Sequence, residues 1–473
     1  MDSRELVIAG RTVEAPDSDA VTNPYTGETV AQVPQAGPEQ VEMAIAAAAE
    51  AFRPFAAWPA HRRSRVLAAI AEGIAARRAE LADMVVAEGG KPITLALGEI
   101  DRAVTTFTIA AEEAKRLGGE VIPADVTPAG EGFTALTRRF PVGPVTAISP
   151  FNFPLNLVAH KLAPALAVGC PVVLKPPVQT PLTPLMLGEI VARAGAPEGA
   201  FTVLPCGVEA ARPLITDDRM AVLSFTGSDR VGWSLKALAG KKRVTLELGG
   251  NAAVIVSRGT DLKAAAARIA HGAFAYAGQI CISVQRILVR DDLYDPFLTE
   301  LLAATAALPV GDPRDPQTVV GPLIDAAAAD RVTAWVGEAE AAGARLAARG
   351  EREGNLIGPT VITDAPRDAK VSCAEVFGPV VTVAPFASFD EAIEAVNTSP
   401  YGLQAGLFTD DLAEALTAHE RLEVGGLVVG DIPTLRLDHT PYGGTKDSGL
   451  GREGVRYAME ALTEPRLLLI KRG

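Results

Sequence analysis

An α/β protein with parallel sheets and more than one domain is what this sequence predicts, on three observations. The chain has 473 residues, more than one hydrophobic core usually serves, and 48% of them are hydrophobic, enough for a large interior. From Val142, strand-like and helix-like segments alternate: Val145 to Ile148, an apolar helix through Ala167, Val172 to Leu174, Pro184 to Ala194, Phe201 to Leu204 and Met220 to Phe225. After Asn251 a second alternating region runs to about Leu437, with strand candidates Ala253 to Val256, Arg286 to Val289, Val380 to Pro385 and Gly426 to Val429. Alternation of this kind marks βαβ units, whose ligands bind at the carboxyl ends of the strands.

Taken in order, residues 1 to 35 hold strand-like pieces at Glu5-Leu-Val-Ile-Ala and Glu28-Thr-Val-Ala-Gln-Val, parted by the turn-forming Asn23-Pro-Tyr-Thr-Gly. Helical periodicity follows over Val41 to Phe52 and His61 to Glu88, breaks at Gly89-Gly-Lys-Pro92 and resumes from Ile93 to Leu117. Gly118 to Pro123 and Phe133 to Phe140 read as a two-stranded excursion. The strand Val172-Val-Leu174 delivers Lys175 to the place where a ribose or phosphate contact belongs. Thr226-Gly-Ser-Asp-Arg-Val-Gly232 follows a strand and opens a helix, so its amides and helix dipole suit a phosphate. The apolar tail Pro465-Arg-Leu-Leu-Leu-Ile-Lys-Arg is expected to dock on a sheet.

Two motifs are decoys. Gly449-Leu-Gly-Arg-Glu-Gly454 matches GxGxxG, but only 19 residues remain beyond it, too few for a βαβ unit, so a tight turn is expected. Tyr442-Gly-Gly-Thr-Lys446 has the spacing of a short-chain reductase pair, yet two central glycines oppose the helix that pair needs.

Composition narrows the partners. A net charge of −13 argues against a nucleic-acid or anionic membrane surface. Met1-Asp-Ser-Arg-Glu-Leu has no charged-then-apolar leader, and the longest apolar stretch, Leu162 to Leu174, is short and broken, so a soluble cytoplasmic protein is expected. Cys170, Cys206, Cys281 and Cys373 lack paired spacing and five histidines are scattered, so neither disulfides nor a metal site is expected. Cys170 and Cys206 read as core residues.

Chemistry concentrates elsewhere. Cys281 follows the small-residue run Gly272-Ala-Phe-Ala-Tyr-Ala-Gly-Gln-Ile and precedes a strand. An isolated cysteine there is most simply a small buried hydrophobe. Glu247, between two leucines and before Gly249-Gly250, and Asn152, between Phe151 and Phe153, change that reading. Thiol, carboxylate and amide together supply nucleophile, general base and oxyanion donor for acyl transfer.

Ser149-Pro-Phe-Asn-Phe-Pro154, Phe225-Thr-Gly-Ser228, Leu246-Glu-Leu-Gly-Gly250, Gly278-Gln-Ile-Cys281 and Glu375-Val-Phe-Gly-Pro379 resemble, in order and over essentially the whole chain, the motifs of the aldehyde dehydrogenase superfamily. Asn156-Leu-Val-Ala-His160-Lys and Pro441 to Gly454 resemble its branch of lactaldehyde, phosphonoacetaldehyde and non-phosphorylating glyceraldehyde-3-phosphate dehydrogenases. The resemblance implies an aldehyde dehydrogenase-like fold: a Rossmann-type nucleotide-binding domain over 1–118 and 142–249, a catalytic α/β domain over 250–445, and small β oligomerisation strands at 119–141 and 459–473. It also implies a homodimer or homotetramer, in keeping with strand edges that are costly to leave exposed.

By the same resemblance, NAD or NADP is held by Ile148, Lys175, Val178, Gly207, Phe225, Thr226, Gly227, Ser228, Val231 and Leu248, with Glu375 and Phe377 at the nicotinamide end. Valine at 178, where NAD-preferring members often carry an acid, implies use of both cofactors. The implied reaction oxidises an aldehyde to its acid through a Cys281 thioester, hydrolysed with Glu247 as base. Ile280 and Ile282 beside the nucleophile favour a small neutral or hydroxylated aldehyde, with semialdehyde, phosphonoacetaldehyde or sulfo-aldehyde as alternatives. His160 reads as either a polar substrate contact or a satisfied helix residue. A coenzyme-A-acylating enzyme is disfavoured by Glu247, and a non-catalytic binding protein by the joint presence of thiol, amide and carboxylate.

Overall fold

The computed structural model describes residues 5–471; Met1 to Arg4 and the last two residues of the tail lie outside them. The fold is α/β. A six-stranded sheet runs in the order Gly449–Leu450, Arg243–Glu247, Val222–Thr226, Val145–Ile148, Val172–Lys175, Phe201–Val203. All its pairs are parallel except that of Gly449–Leu450 with Arg243–Glu247. A seven-stranded sheet runs Arg345–Ala348, Thr360–Thr363, Val380–Phe386, Arg286–Arg290, Ala253–Val256, Gln404–Phe408, Gly426–Val429, parallel apart from its first pair. Each sheet has apolar side chains buried against helices, as parallel sheets require.

Helix Asn156–Val168 connects two strands of the six-stranded sheet, and all thirteen of its residues are buried. Nine of them are leucine, alanine or valine, with Asn156, His160, Lys161 and Pro164 as the rest. It ends where Gly169 adopts φ 87°, the left-handed cap that glycine takes without a Cβ penalty.

Sequence and structure part at several places. The helical stretch expected over His61 to Glu88 is two helices, Ala60–Ala76 and Arg78–Gly89, which meet at Arg77 with φ −106° and ψ 21°. Arg77 is held there by Glu80 at 2.7 Å and Glu189 at 2.9 Å. The Val244 to Val256 segment is strand, turn, strand, but its strands belong to different sheets. Residues 248 to 252 thus carry the chain from one sheet to the other, directly after Glu247. Gly449-Leu450, expected as part of a tight turn, is instead a short antiparallel edge strand paired with Leu246 and Glu247. Gln404–Phe408 was not foreseen, because Gln-Ala-Gly-Leu-Phe has low strand propensity; burial between two parallel neighbours decides its conformation. Thr360–Thr363 and the edge strand Arg345–Ala348 were also missed.

The excursion at 119–141 and the tail pair with each other. Thr463–Lys471 runs antiparallel to Phe133–Pro141 over nine residue pairs, and Val121–Ile122 adds a third strand. Leu467, Leu468, Leu469 and Ile470 are all exposed, so the tail strand presents apolar side chains on both faces in the single chain.

Buried carboxylates tie the helical layer to the six-stranded sheet. Glu99 accepts from the backbone N–H groups of Leu155 (2.9 Å) and Asn156 (3.0 Å) at the start of the buried helix, and also pairs with the buried Lys91. Lys91 lies 3.6 Å from the Phe153 ring centroid, beside Asn152. Glu99→Ala strands both a buried ammonium and two buried N–H groups, so it should destabilise the protein by about 3–5 kcal/mol. Urea unfolding checks this, and a loss under about 1 kcal/mol contradicts it.

Candidate active site

Cys281 lies on a loop reached through a strained turn. After helix Leu262–Phe274, Tyr276 and Ala277 both take φ 54° and Gly278 takes φ 69°, three consecutive left-handed residues. For two non-glycines this costs on the order of 1–3 kcal/mol each, so the surroundings must hold it. They do so through buried anchors. Tyr276 is buried and donates its hydroxyl to Gly89 O at 3.2 Å. The Gln279 amide donates to Tyr276 O (3.2 Å) and Pro322 O (3.1 Å), while its Oε1 accepts from Ile324 N at 2.9 Å. At Gly278 a Cβ would lie 2.3 Å from Gly378 O, so only glycine fits.

Asn152 is buried and donates its amide to Gln279 O at 2.8 Å, which fixes it beside the cysteine loop with a second N–H still to give. Its Oδ1 is buried without a partner. The turn after Glu247 approaches from the other sheet: a Cβ on Gly250 would sit 2.3 Å from Cys281 O. The Leu-Gly-Gly signal is therefore a steric requirement of bringing the two loops together. Glu247 is buried, and neither carboxylate oxygen has a hydrogen-bond partner. Burial, then the neighbouring Glu453, pushes its pKa well above the ordinary carboxylate range, against the pull of Arg436, Lys161 and Arg452. The Cys281 thiol is raised to about 11, chiefly by burial and further by Glu375 and Glu247, while the Tyr442 hydrogen bond and Arg436 oppose the rise. Sequence reasoning thus places three residues that the fold does bring together.

The other expected positions gather at the carboxyl ends of the six-stranded sheet. Ile148 and Lys175 are paired across adjacent strand ends. Lys175 Nζ donates to Pro176 O at 3.3 Å, and burial lowers its pKa. Thr226 ends its strand with Oγ1 buried and unpartnered, as is Ser149 Oγ nearby in the chain. Gly227 N–H donates to Glu247 O at 3.1 Å, and Ser228 is the N-cap of helix Asp229–Leu238. Gly207 is the N-cap of helix Val208–Thr216. Val178 and Val231 are exposed, with the neighbouring Val208 80% exposed. Unpartnered hydroxyls, two helix N-termini and exposed valines at one edge fit a dinucleotide, with phosphates on amides and an adenine on apolar side chains. Phe225 and Leu248 differ from the rest, because their side chains pack with Leu246 in a buried cluster. Glu375 accepts from Gly250 N at 3.0 Å, and burial raises it to about 7. Phe377 takes φ 46° and meets Phe151 edge-on, with centroids 5.8 Å apart, so it abuts the Asn152 loop.

Several residues escaped the sequence reading. Tyr442, set aside there as half of a decoy pair, is buried with its hydroxyl 3.1 Å from Cys281 Sγ. Arg436 lies 3.9 Å above the Tyr442 ring and pairs with Glu453 at 3.0 Å, while its own Nε is buried without a partner. Glu453 also pairs with Lys161 at 3.0 Å, and Lys161 reaches Ser224 at 3.1 Å. The available signal was the sequence Pro441-Tyr-Gly-Gly, whose glycines admit close approach: a Cβ on Gly443 would lie 2.8 Å from Glu247 Oε1. His160 donates its Nε2–H to the Asp438 carboxylate at 2.8 Å, and its Nδ1 is buried without a partner. Burial, then Arg436, lowers its pKa to about 4, so it is neutral at pH 7. Cys170 and Cys206 are buried in apolar cores. Among the described residues no His, Cys, Asp and Glu side chains group to hold a metal ion, and no helix is long and apolar enough to cross a membrane.

A dinucleotide-type sheet and its partner sheet thus bring a thiol, an amide and a carboxylate to one junction. The family model of the aldehyde dehydrogenase family matches residues 13–468. A 3-sulfolactaldehyde dehydrogenase of Priestia aryabhattai is 44% identical over 466 residues, 98% of this chain and 97% of the relative. The crystal structure of aldehyde dehydrogenase 21 from Physcomitrella patens, in complex with the reaction product succinate, superposes with a TM-score of 0.97 at 44% identity, covering 99% of this chain and 98% of that one. The glyceraldehyde-3-phosphate dehydrogenase GapN of Methanocaldococcus jannaschii, complexed with NADP, superposes with a TM-score of 0.93 at 37% identity, covering 96% and 100%. The chain belongs to the aldehyde dehydrogenase family, in the branch its His160 and Pro441 to Gly454 segments resemble, and is an oxidoreductase that uses NAD or NADP on an aldehyde.

Proposed function

We propose that the protein oxidises a short aldehyde to its carboxylic acid through a thioester on Cys281. The observation that carries this reading is the convergence of Cys281, Asn152 and Glu247, from three separate segments and both sheets, on one buried junction. Cys281 attacks the aldehyde carbon, and its backbone N–H and the free N–H of Asn152 stabilise the oxyanion. The nicotinamide, when bound, accepts the hydride, and Lys175, Thr226, Ser228, Glu375 and Phe377 are the residues that would hold the cofactor. Glu247 then takes a proton from the water that hydrolyses the thioester, its raised pKa making it a stronger base than an ordinary carboxylate. Cys281→Ala should abolish turnover. Glu247→Gln should keep the pre-steady-state burst of reduced cofactor and slow the following steady rate by about 100-fold or more; an unchanged steady rate refutes the base assignment.

For the substrate, Arg436 favours an anionic end. It is a buried cation with one N–H unpartnered, two contacts from the sulfur through the Tyr442 ring, and a carboxylate or sulfonate is the chemistry that N–H would serve. The names of the relatives, one acting on sulfolactaldehyde and one holding succinate, agree with this reading. A neutral hydroxylated aldehyde is the second reading, supported by Ile280 and Ile282 against the thiol. Comparison of kcat/KM for sulfolactaldehyde, succinic semialdehyde and lactaldehyde, each with NAD and with NADP, decides. The anionic pair should lead and both cofactors should work, because Val178 brings no carboxylate against a 2′-phosphate. Lactaldehyde leading by tenfold, or no rate with NADP, overturns the respective reading.

The ribbon of Phe133–Pro141 and Thr463–Lys471 is proposed to join subunits, since four consecutive exposed apolar residues on a strand favour covering by a second copy. Four cysteines free of disulfides suit a reducing compartment, the cytoplasm. Light scattering at micromolar concentration should give a dimer or tetramer, and Leu468→Lys with Ile470→Lys should shift it toward monomer. A wild-type monomer contradicts the proposal.

A further inference from the structure

The hydroxyl nearest the sulfur of Cys281 belongs to Tyr442, at 3.1 Å. Its surroundings fix it there. Tyr442 is clamped by two backbone hydrogen bonds with Glu453, its N–H to Glu453 O at 3.1 Å and its carbonyl from Glu453 N at 2.7 Å. Its ring packs with Ile282 and Leu403 and against Ile280 and Cys281. The Arg436 guanidinium covers the other face at 3.9 Å and is itself pinned by Glu453 at 3.0 Å. A tyrosine held at both ends and on both faces keeps its hydroxyl aimed at one atom.

While the sulfur is a thiol, either partner can donate in this contact. Once the sulfur is ionised it has no proton to give, and only the tyrosine donates. The bond therefore strengthens as charge forms, because a hydrogen bond to an ionised acceptor is roughly twice as strong as a neutral one. We propose that Tyr442 is a further catalytic residue: its hydroxyl donates to the Cys281 thiolate and, backed by the Arg436 guanidinium, makes that ion accessible in a buried site. The other charged groups facing the sulfur, Glu375 and Glu247, both disfavour the ion, and burial disfavours it most. Tyr442 and Arg436 are the two opposing influences. Burial, with Cys281 and Glu247 as further contributors, holds the phenol well above its ordinary pKa, so Tyr442 keeps its proton and remains a donor throughout the working pH range.

This role rests on the proposed chemistry of Cys281 but is tested on the sulfur itself. The test is the rate of Cys281 alkylation by iodoacetamide, in which the thiolate displaces iodide and forms a thioether, followed by peptide mass mapping from pH 6 to 9. Tyr442→Phe preserves the ring and removes the donor. A thiol pKa about one unit higher leaves tenfold less thiolate, partly offset by the greater nucleophilicity of the more basic sulfur, so alkylation should slow about threefold at each pH. Replacement of Tyr442 by 3-fluorotyrosine keeps the shape and makes a more acidic, stronger donor, so alkylation should quicken. Opposite changes in the two variants exclude an effect of access alone. An unchanged or faster rate in Tyr442→Phe, or an unchanged or slower one in the fluorinated protein, overturns the proposal. Should Tyr442→Phe fail to fold, the fluorinated protein decides by itself. An active Cys281→Ala enzyme would refute the nucleophile and leave the alkylation result standing, so the two failures are told apart.

Discussion

The junction between the two sheets depends on how Glu453 is neutralised. Burial opposes its charge, yet Lys161 and Arg436 hold its pKa below the usual carboxylate range. Each partner brings a different element with it. Lys161 comes from the wholly buried helix Asn156–Val168 and also reaches Ser224 in the neighbouring strand, while Arg436 carries the ring of Tyr442. The Glu453 backbone then clamps Tyr442 from the other side. A buried carboxylate with one of these cations removed leaves an uncompensated charge, at a cost of about 3–5 kcal/mol. That penalty couples the placement of the helix, the Glu453 segment and the tyrosine.

The cysteine loop is held by the opposite device. Where Glu453 relies on charge, the Tyr276-Ala277-Gly278 turn relies on neutral hydrogen bonds to buried carbonyls and on close backbone approach. The same Gln279 that fixes the turn accepts the Asn152 amide on its carbonyl. The cysteine loop and the Asn152 amide are therefore tied together through one residue.

The fold class was legible because buried parallel strands are short apolar runs and the alternation with helices is regular from Val142 to Leu437. Strands such as Gln404–Phe408 were not, since burial there overrides local propensity. Of the site, Cys281, Glu247 and Asn152 were readable only in combination, since each alone has a bland reading and the three together supply the groups of acyl-transfer chemistry. Tyr442 was hidden by a spacing rule that looked for a helix, although Gly443, one of the two glycines that excluded the helix, is what lets this loop approach Glu247. Arg436, Lys161 and Glu453 could not be paired from sequence, because Lys161 and Glu453 are 292 residues apart and only the folded chain brings them to 3.0 Å.

Burial raises both the Glu247 carboxyl and the Cys281 thiol, and the charge of Glu247 adds to the rise of the thiol. Cys281 is pushed up partly by Glu247, and each negative charge disfavours the other in a low dielectric. In the proposed reaction the two charges are needed at different times. Attack on the aldehyde requires the thiolate and is eased while Glu247 holds a proton. Acylation then turns the sulfur into a neutral thioester, which removes the repulsion and lets Glu247 ionise when the hydrolytic water must be activated. A salt bridge to Glu247 would fix its charge and spoil this order, which gives a physical reason for both of its oxygens to be buried without a partner.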